Sequence, residues 1–288
     1  MSPLLRLIAT LAVLLACSPI SATVVSFLDA GGIPGKSATT ATAIANTALL
    51  NSTLASLLPG DTLLIPNKTF VVMGGAYATG LDNATIQLDG TFLWSSDTKA
   101  WPSGKGSMPR TCLTLENTRG LRITSNGTGT LDGNGAKWWG IPGIGYLVRG
   151  KNRPPMLAVN NATDFLLEKL LFYQAPRFNF ISSGLRNATI RYCDISARRT
   201  SLDSHTVLDI TAFNTDGFDV SGKDIHIHDC SVWNQDDTFC IKASGEDTEN
   251  VLIENVRASG VGLSIGSIGG QAVRNITFRN VVMHREAV

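Results

Sequence analysis

Asn275-Ile-Thr-Phe-Arg-Asn-Val281 matches Asn250-Val-Leu-Ile-Glu-Asn-Val256 position by position, and Asp224-Ile-His-Ile-His-Asp-Cys230 and Asn187-Ala-Thr-Ile-Arg-Tyr-Cys193 share the same scheme. An Asn or Asp opens each copy, apolar residues fall at the second and fourth places, and another apolar residue or cysteine closes it. Looser copies begin at Asp164 and Gly120. Alternation such as Ile225 and Ile227 against His226 and His228 marks a strand with one buried face. The last three copies start about 25 residues apart, which is a solenoid period. The chain therefore reads as all-β, a right-handed parallel β-helix in which each coil buries its inward residues on the next. A β-sandwich would need hairpin signals every 8–12 residues or so, and this repeat is longer.

Nearer the N-terminus, Thr40 to Leu58 is the one stretch beyond the leader with a helical period. Ile44, Leu49, Leu50, Leu54, Leu57 and Leu58 fit one helix before Pro59-Gly60. A short helix there would cap the first coil, whose open edge otherwise invites pairing with another chain. At the start, Arg6 precedes an apolar run from Leu7 to Cys17, and small residues come next at Ser18, Ser21 and Ala22. This is the pattern of a secretory signal peptide, residues 1–22, with cleavage near Ala22. Residues 23–288 then form a single domain.

The 288 residues are 43% hydrophobic and 16% charged, enough to bury a core. A net charge of +1 gives no electrostatic case for nucleic acid or an anionic membrane. Asn-X-Ser/Thr sequons stand at Asn51, Asn67, Asn83, Asn126, Asn161, Asn187 and Asn275, which fits an extracellular glycoprotein. Four cysteines lie beyond the signal: Cys112, Cys193, Cys230 and Cys240. An even number in an oxidising compartment suggests disulfides. Cys193 and Cys230 share an offset in the repeat and could pair; Cys230 and Cys240 flank the aspartates and could pair instead. No Cys/His spacing resembles a zinc site. Gly31 to Ser37 has the look of a phosphate loop, but Ala30 stands where its first glycine is required and Pro34 removes an N–H, so it reads as a turn.

The chemistry lies in Asn214-Thr-Asp216-Gly217 and Asn234-Gln-Asp236-Asp237, about one coil apart. Strands stacked about 4.8 Å apart would bring these carboxylates face to face. Turn chemistry accounts for Asp216-Gly217, but adjacent carboxylates such as Asp236-Asp237 repel and gain nothing in a turn. Paired carboxylates are the working parts of glycoside hydrolysis, one as acid and the other handling water or sugar. Crowded carboxyls cannot all ionise cheaply, so one pKa rises; the sequence leaves open which.

These segments resemble glycoside hydrolase family 28, the polygalacturonases and their relatives. The resemblance rests on Asn214-Thr-Asp-Gly-Phe-Asp-Val-Ser-Gly222, Asn234-Gln-Asp-Asp237, Gly262-Leu-Ser-Ile-Gly-Ser-Ile-Gly269, Leu131-Asp-Gly-Asn-Gly-Ala-Lys-Trp-Trp139, Arg153-Pro-Pro and Pro59-Gly-Asp-Thr-Leu-Leu-Ile-Pro66. It implies a secreted, monomeric enzyme that hydrolyses α-1,4 bonds between galacturonic acid units of pectin with inversion, without cofactor or metal. Asp236 would be the general acid, Asp216 and Asp237 would hold the water, and Asn214, Gln235 and Lys242 would contact the substrate. Two departures stand out. Val261 occupies the place of the family histidine, and His205, His226, His228 and His284 offer no obvious substitute. The family's cationic fourth motif is expected just past Val288, so the domain reads as C-terminally incomplete. The alternatives are a catalytically impaired pectin-binding β-helix, or a polysaccharide lyase on the same fold working with calcium and a basic residue.

Overall fold

The structure is a computed structural model that describes residues 22–141, 152–198, 211–243 and 245–284. Residues 1–21 of the proposed signal peptide and His205 lie outside these residues. One helix, α1 (Thr40–Ser56), comes after the first strand, β1 (Val24–Ser26). Next are β2 (Thr62–Ile65), β3 (Thr69–Val72), β4 (Ala76–Thr79), β5 (Thr85–Leu88), β6 (Thr91–Trp94), β7 (Leu113–Arg119), β8 (Arg122–Thr124) and β9 (Gly129–Asp132). Two long strands, β10 (Leu157–Glu168) and β12 (Phe180–Arg191), flank β11 (Leu170–Tyr173). After them run β13 (Asp194–Ser196), β14 (Phe218–Val220), β15 (Gly222–His228), β16 (Ser231–Trp233), β17 (Asp237–Ala243), β18 (Thr248–Ser259), β19 (Gly262–Ile268) and β20 (Val273–Met283).

Among the described residues every pairing of these strands is parallel, and each strand pairs with its counterpart in the next coil. Three columns result. β2, β5 and β8 continue through the second halves of β10 and β12 into β15, β18 and β20. A second column runs β3, β6, β9, β11, β13, β16. The third runs β4, β7, the first halves of β10 and β12, then β14, β17 and β19. The expected parallel β-helix is what the chain forms.

The residue that opens each copy of the repeat has a physical reason to be Asn, Asp or Gly. Asn83, Gly120, Asp164, Asn187, Asp224, Asn250 and Asn275 all hold φ between 48° and 61°. Only glycine, and less readily Asn or Asp, takes this left-handed conformation without appreciable cost. The side chains stack as well: Asn187 Nδ2 donates to Asp164 Oδ1 (2.6 Å), Asn250 to Asp224 (2.9 Å) and Asn275 to Asn250 (2.8 Å).

Inside, phenylalanines stack in register. Phe180, Phe218 and Phe239 occupy successive coils, and the Phe218 and Phe239 rings lie 5.5 Å apart and nearly parallel. At the N-terminal end α1 covers β3 and β4, starting from an N-cap at Thr39. Of its apolar residues, Leu50 and Leu54 are buried in the core. Ile44 is 50% exposed and Leu58 points to solvent, whereas Asn46 and Thr47 are buried. These two polar residues satisfy the open strand edge: Asn46 Nδ2 donates to Val71 O (2.8 Å) and Thr47 Oγ1 to Met73 O (2.8 Å). Asn51 Oδ1 accepts from Tyr77 N on β4. A cap must quench backbone donors and acceptors as well as cover apolar surface, so its buried face carries these polar residues beside Leu50 and Leu54.

The cysteines also correct the sequence reading. All four are buried free thiols. Cys193 and Cys230 are in contact at the same offset of successive coils, but each donates to a backbone carbonyl, Arg191 O and His228 O. Burial pushes the Cys193 thiol well above its ordinary value and keeps it protonated.

Candidate active site

The acids lie where the second column turns into the third. Asp216 precedes β14 and Asp237 opens β17, so stacking β14 on β17 superposes the two turns. Gly217 N donates to Asp237 O (2.8 Å), and Asn179 N of the preceding coil donates to Asp216 O (2.8 Å). Gly217 must be glycine, because a Cβ there would stand 2.2 Å from Thr238 O. This close approach brings one carboxylate oxygen from each of Asp216, Asp236 and Asp237 within 4.8 Å of one another. A hard divalent cation takes such oxygen ligands, and the trio has the donor chemistry for one.

Buried amides hold the turns. Asn234 Nδ2 bridges Thr215 O (2.8 Å) and Asp237 O (2.7 Å), and Asn179 Nδ2 reaches Thr215 O and Asp216 O, both at 3.1 Å. Gly260 passes so close to Asn234 that an added Cβ would lie 2.0 Å from its Oδ1. Buried Arg153 donates through Nη1 to Pro176 O (3.0 Å) and through Nη2 to Phe213 O, tying two coil turns together beneath the acids. Burial lowers its pKa to about 10, with Asp236 and Asp216 opposing the shift.

The acids differ in environment. Asp216 is 5% exposed and its Oδ1 has no hydrogen-bond partner. Burial, reinforced by Asp219 and Asp236, pushes its pKa up to about 8. Asp219 is raised to about 7, chiefly by burial, although Lys242 lies 3.6 Å away and opposes the rise. Asp236 is also raised by burial, against three donors: Asn214 N and Nδ2 on Oδ2 (2.9 and 3.2 Å) and Asp237 N on Oδ1 (2.9 Å).

Of the proposed substrate contacts, Lys242 lines a groove of about 340 Å³ with Asp219, Asn160, Phe178, Ser182 and Ser267. Asn214 is spent on Asp236. Gln235 is 2% exposed and its Oε1 accepts from Ala212 N (2.7 Å), so it braces the turn and does not reach the groove. Val261 is 49% exposed beside the trio and donates its backbone N–H to Asp236 O (2.8 Å). His226 and His228 face outward, paired with Glu254 and Asp229. Arg274 is held by Asp247 and Glu249.

The sequence assigns no role to Asp219, Arg153 or Arg177, although the first two stand in segments that carry the family resemblance. Asp219 had a signal, a carboxylate between core residues Phe218 and Val220 on a strand. Arg177, lying 4.1 Å over the Phe178 ring and under the influence of Asp216 and Asp219, had none, because only the stacking of coils brings it there.

A model of glycosyl hydrolases family 28 matches residues 60–287. Probable endopolygalacturonase C of Aspergillus aculeatus is 32% identical over 196 residues, 65% of this chain and 45% of that protein. Endopolygalacturonase A of Aspergillus niger is 31% identical over 202 residues, 68% of this chain and 48% of that protein. The chain thus spans about half the length of the curated relatives it matches. Among solved structures, polygalacturonase from Erwinia carotovora ssp. carotovora gives a TM-score of 0.69 at 21% identity, over 92% of this chain and 70% of that one. Endo-xylogalacturonan hydrolase from Aspergillus tubingensis gives 0.67 at 19%, over 90% and 74%. These structural likenesses concern the fold.

Proposed function

The chain belongs to glycosyl hydrolase family 28, and from that premise we propose that it hydrolyses galacturonosyl bonds of pectin outside the cell, with Asp216, Asp236 and Asp237 as the reacting carboxyls. The observation that carries this reading is the convergence of the three within 4.8 Å. On this reading Asp236 protonates the leaving oxygen while Asp216 and Asp237 hold and activate the water. Carboxyls this close titrate as a set. Asp216 is the most ready to hold the shared proton in the free protein, since its buried Oδ1 lacks any donor, while Asp236 accepts three. Substrate and water in place would move that proton to Asp236. Lys242 offers the groove a cation for a uronate carboxylate.

The stereochemical course, inversion or retention, is tested separately. Inverting pairs usually stand about 6.5–9.5 Å apart and retaining pairs about 5–5.5 Å, measured between carboxyl groups, whereas 4.8 Å bounds the approach of single oxygens of the trio. Inversion fits if the water sits beside the acid, between Asp216 and Asp237. The anomer first formed, tracked by proton NMR, decides between them.

The activity itself is tested by release of reducing ends from polygalacturonate near about pH 5, where an acid and a base can coexist, with chelator present. The wild type is expected to be active and Asp236→Asn inert. A folded wild type that binds pectin without cleaving it would leave a binding protein, the outcome Val261 argues for. Calcium-dependent, ultraviolet-absorbing products would mean a lyase.

A further inference from the structure

Arg153 is a buried cation that the proposed chemistry leaves without a role. It stands on the β9–β10 connection, and β9, β11 and β13 stack in that order, so the β9–β10, β11–β12 and β13–β14 connections lie on three successive coils. Its side chain, one of the largest fully buried among the described residues, holds all three together. Nη1 donates to Pro176 O (3.0 Å) one coil on, and Nη2 to Phe213 O two coils on, roughly 10 Å from the starting coil at the spacing of stacked strands. Each of these carbonyls is a short step from an acid. Phe213 pairs with Gln235 and precedes Asn214, whose N and Nδ2 donate to Asp236 Oδ2 (2.9 and 3.2 Å). Pro176 opens the turn into Asn179, whose N and Nδ2 donate to Asp216 O (2.8 and 3.1 Å).

Arginine has the shape for this task. Its planar fork presents several donors in fixed directions, whereas lysine ends in a compact point charge on a flexible stem. Stability alone explains the charge poorly. Taking an ion out of water is costly, and well-packed apolar replacements of buried ions are often neutral or stabilising. Asp219, Lys242 and Arg177 also face Asp216 or Asp236, and neither of these two cations is fully buried. Of the three cations, Arg153 is the one that reaches the acid turns from the buried side and fixes their backbone. Displacing it would therefore move Asp236 against Asp216.

We propose that Arg153 is a positioning residue, which sets Asp236 against Asp216 through Asn214 and Asn179 and so governs turnover and not substrate binding. The inference rests on the hydrolase reading above. Its test measures kcat and KM on polygalacturonate for the full chain, for Arg153→Lys and for Arg153→Met. Asn46→Ala is the control, a buried amide that also satisfies backbone, but in the capping helix. Arg153→Met should lower kcat by about a hundredfold, the scale of a misplacement of about 1 Å at the reacting groups, and leave KM unchanged. Arg153→Lys restores the charge without the fork and should recover part of that loss. Asn46→Ala should lower the melting temperature and leave kcat unchanged. A raised KM with kcat kept, or kcat equal to wild type in both Arg153 variants, overturns the role. So does a loss of kcat in Asn46→Ala as large as theirs, since weakened folding would then explain both. If Arg153→Met does not fold, Arg153→Lys alone must show the lowered kcat, and its absence overturns the role. A folded wild type that cleaves no polymer overturns the hydrolase reading itself. Amide hydrogen exchange then still reads the positioning: Asn214 and Asn179 should exchange faster in Arg153→Lys than in the wild type, with Phe165 and Phe172 unchanged. Equal exchange at Asn214 and Asn179 overturns it.

Discussion

Two polar columns run along this solenoid and treat charge in opposite ways. In the exposed column from Asn83 to Asn275, stacking sets each bonding amide against an oxygen of the coil before it. In the column of acid turns, the same stacking sets Asp216 against Asp236 and Asp237 and buries Asp216 Oδ1 and Asp219 Oδ1 without donors. One repeat, one coil spacing and similar residue types thus give a row that stabilises and a row that costs stability. Strain of the second kind persists in proteins where activity needs it.

The contrast should show most clearly in activity. Asp236→Asn should lower hydrolysis by about a thousandfold, on the scale of lost proton transfer. The chemically identical exchange Asp224→Asn in the exposed column should leave the rate unchanged. Reducing-end assays on both variants make the comparison, and equal losses would end it.

Stability should respond next, with the opposite sign. Asp216 binds its proton more tightly folded, near about 8, than unfolded, near about 3.9. The folded state therefore holds the extra proton between those values, and stability falls as pH rises from about 4 to about 8. Asp216→Asn should flatten that slope and raise stability near pH 8 by on the order of 2 kcal/mol. Urea denaturation across the range checks both, and a slope unchanged in the variant would mean the burial cost lies elsewhere.

In the exposed column, Asn250→Ala should cost about 1–2 kcal/mol, read from the same urea denaturation. It loses the bonds to Asp224 and Asn275 and forces alanine into left-handed backbone. Asn250→Gly should cost less, since glycine keeps the backbone at ease. The smallest effect is expected at Arg274, exposed and paired with Asp247 and Glu249. Arg274→Ala should leave the urea midpoint unchanged, at low salt and at high salt alike.

The repeat made the exposed column legible, because left-handed backbone restricts its first residue to a few types and alternation marks the strand next to it. The approach of Asp216 to Asp236 and Asp237 was legible for a related reason: their spacing is close to one coil. The roles that escaped depend on partners far along the chain. Arg153 is defined by Pro176 O and Phe213 O, Gln235 by Ala212 N, and Asn46 by Val71 O. Each is a polar side chain whose role is to satisfy a backbone group, and no residue pattern encodes that. Val261 shows the converse, a departure visible in sequence whose backbone still holds Asp236.

The stacking of β14 on β17 has one more consequence. In a solenoid each coil meets only its neighbours, so stability adds up from one interface to the next. The electrostatic cost of the acids therefore falls on the seam between these two coils and is not shared by the whole molecule. That seam is the place for local opening to begin. Amides of Gly217 and Phe239 should exchange hydrogen faster than those of Phe165 or Phe172, deep in coils without stacked acids, and should slow toward theirs as the pH falls and the carboxyls fill with protons.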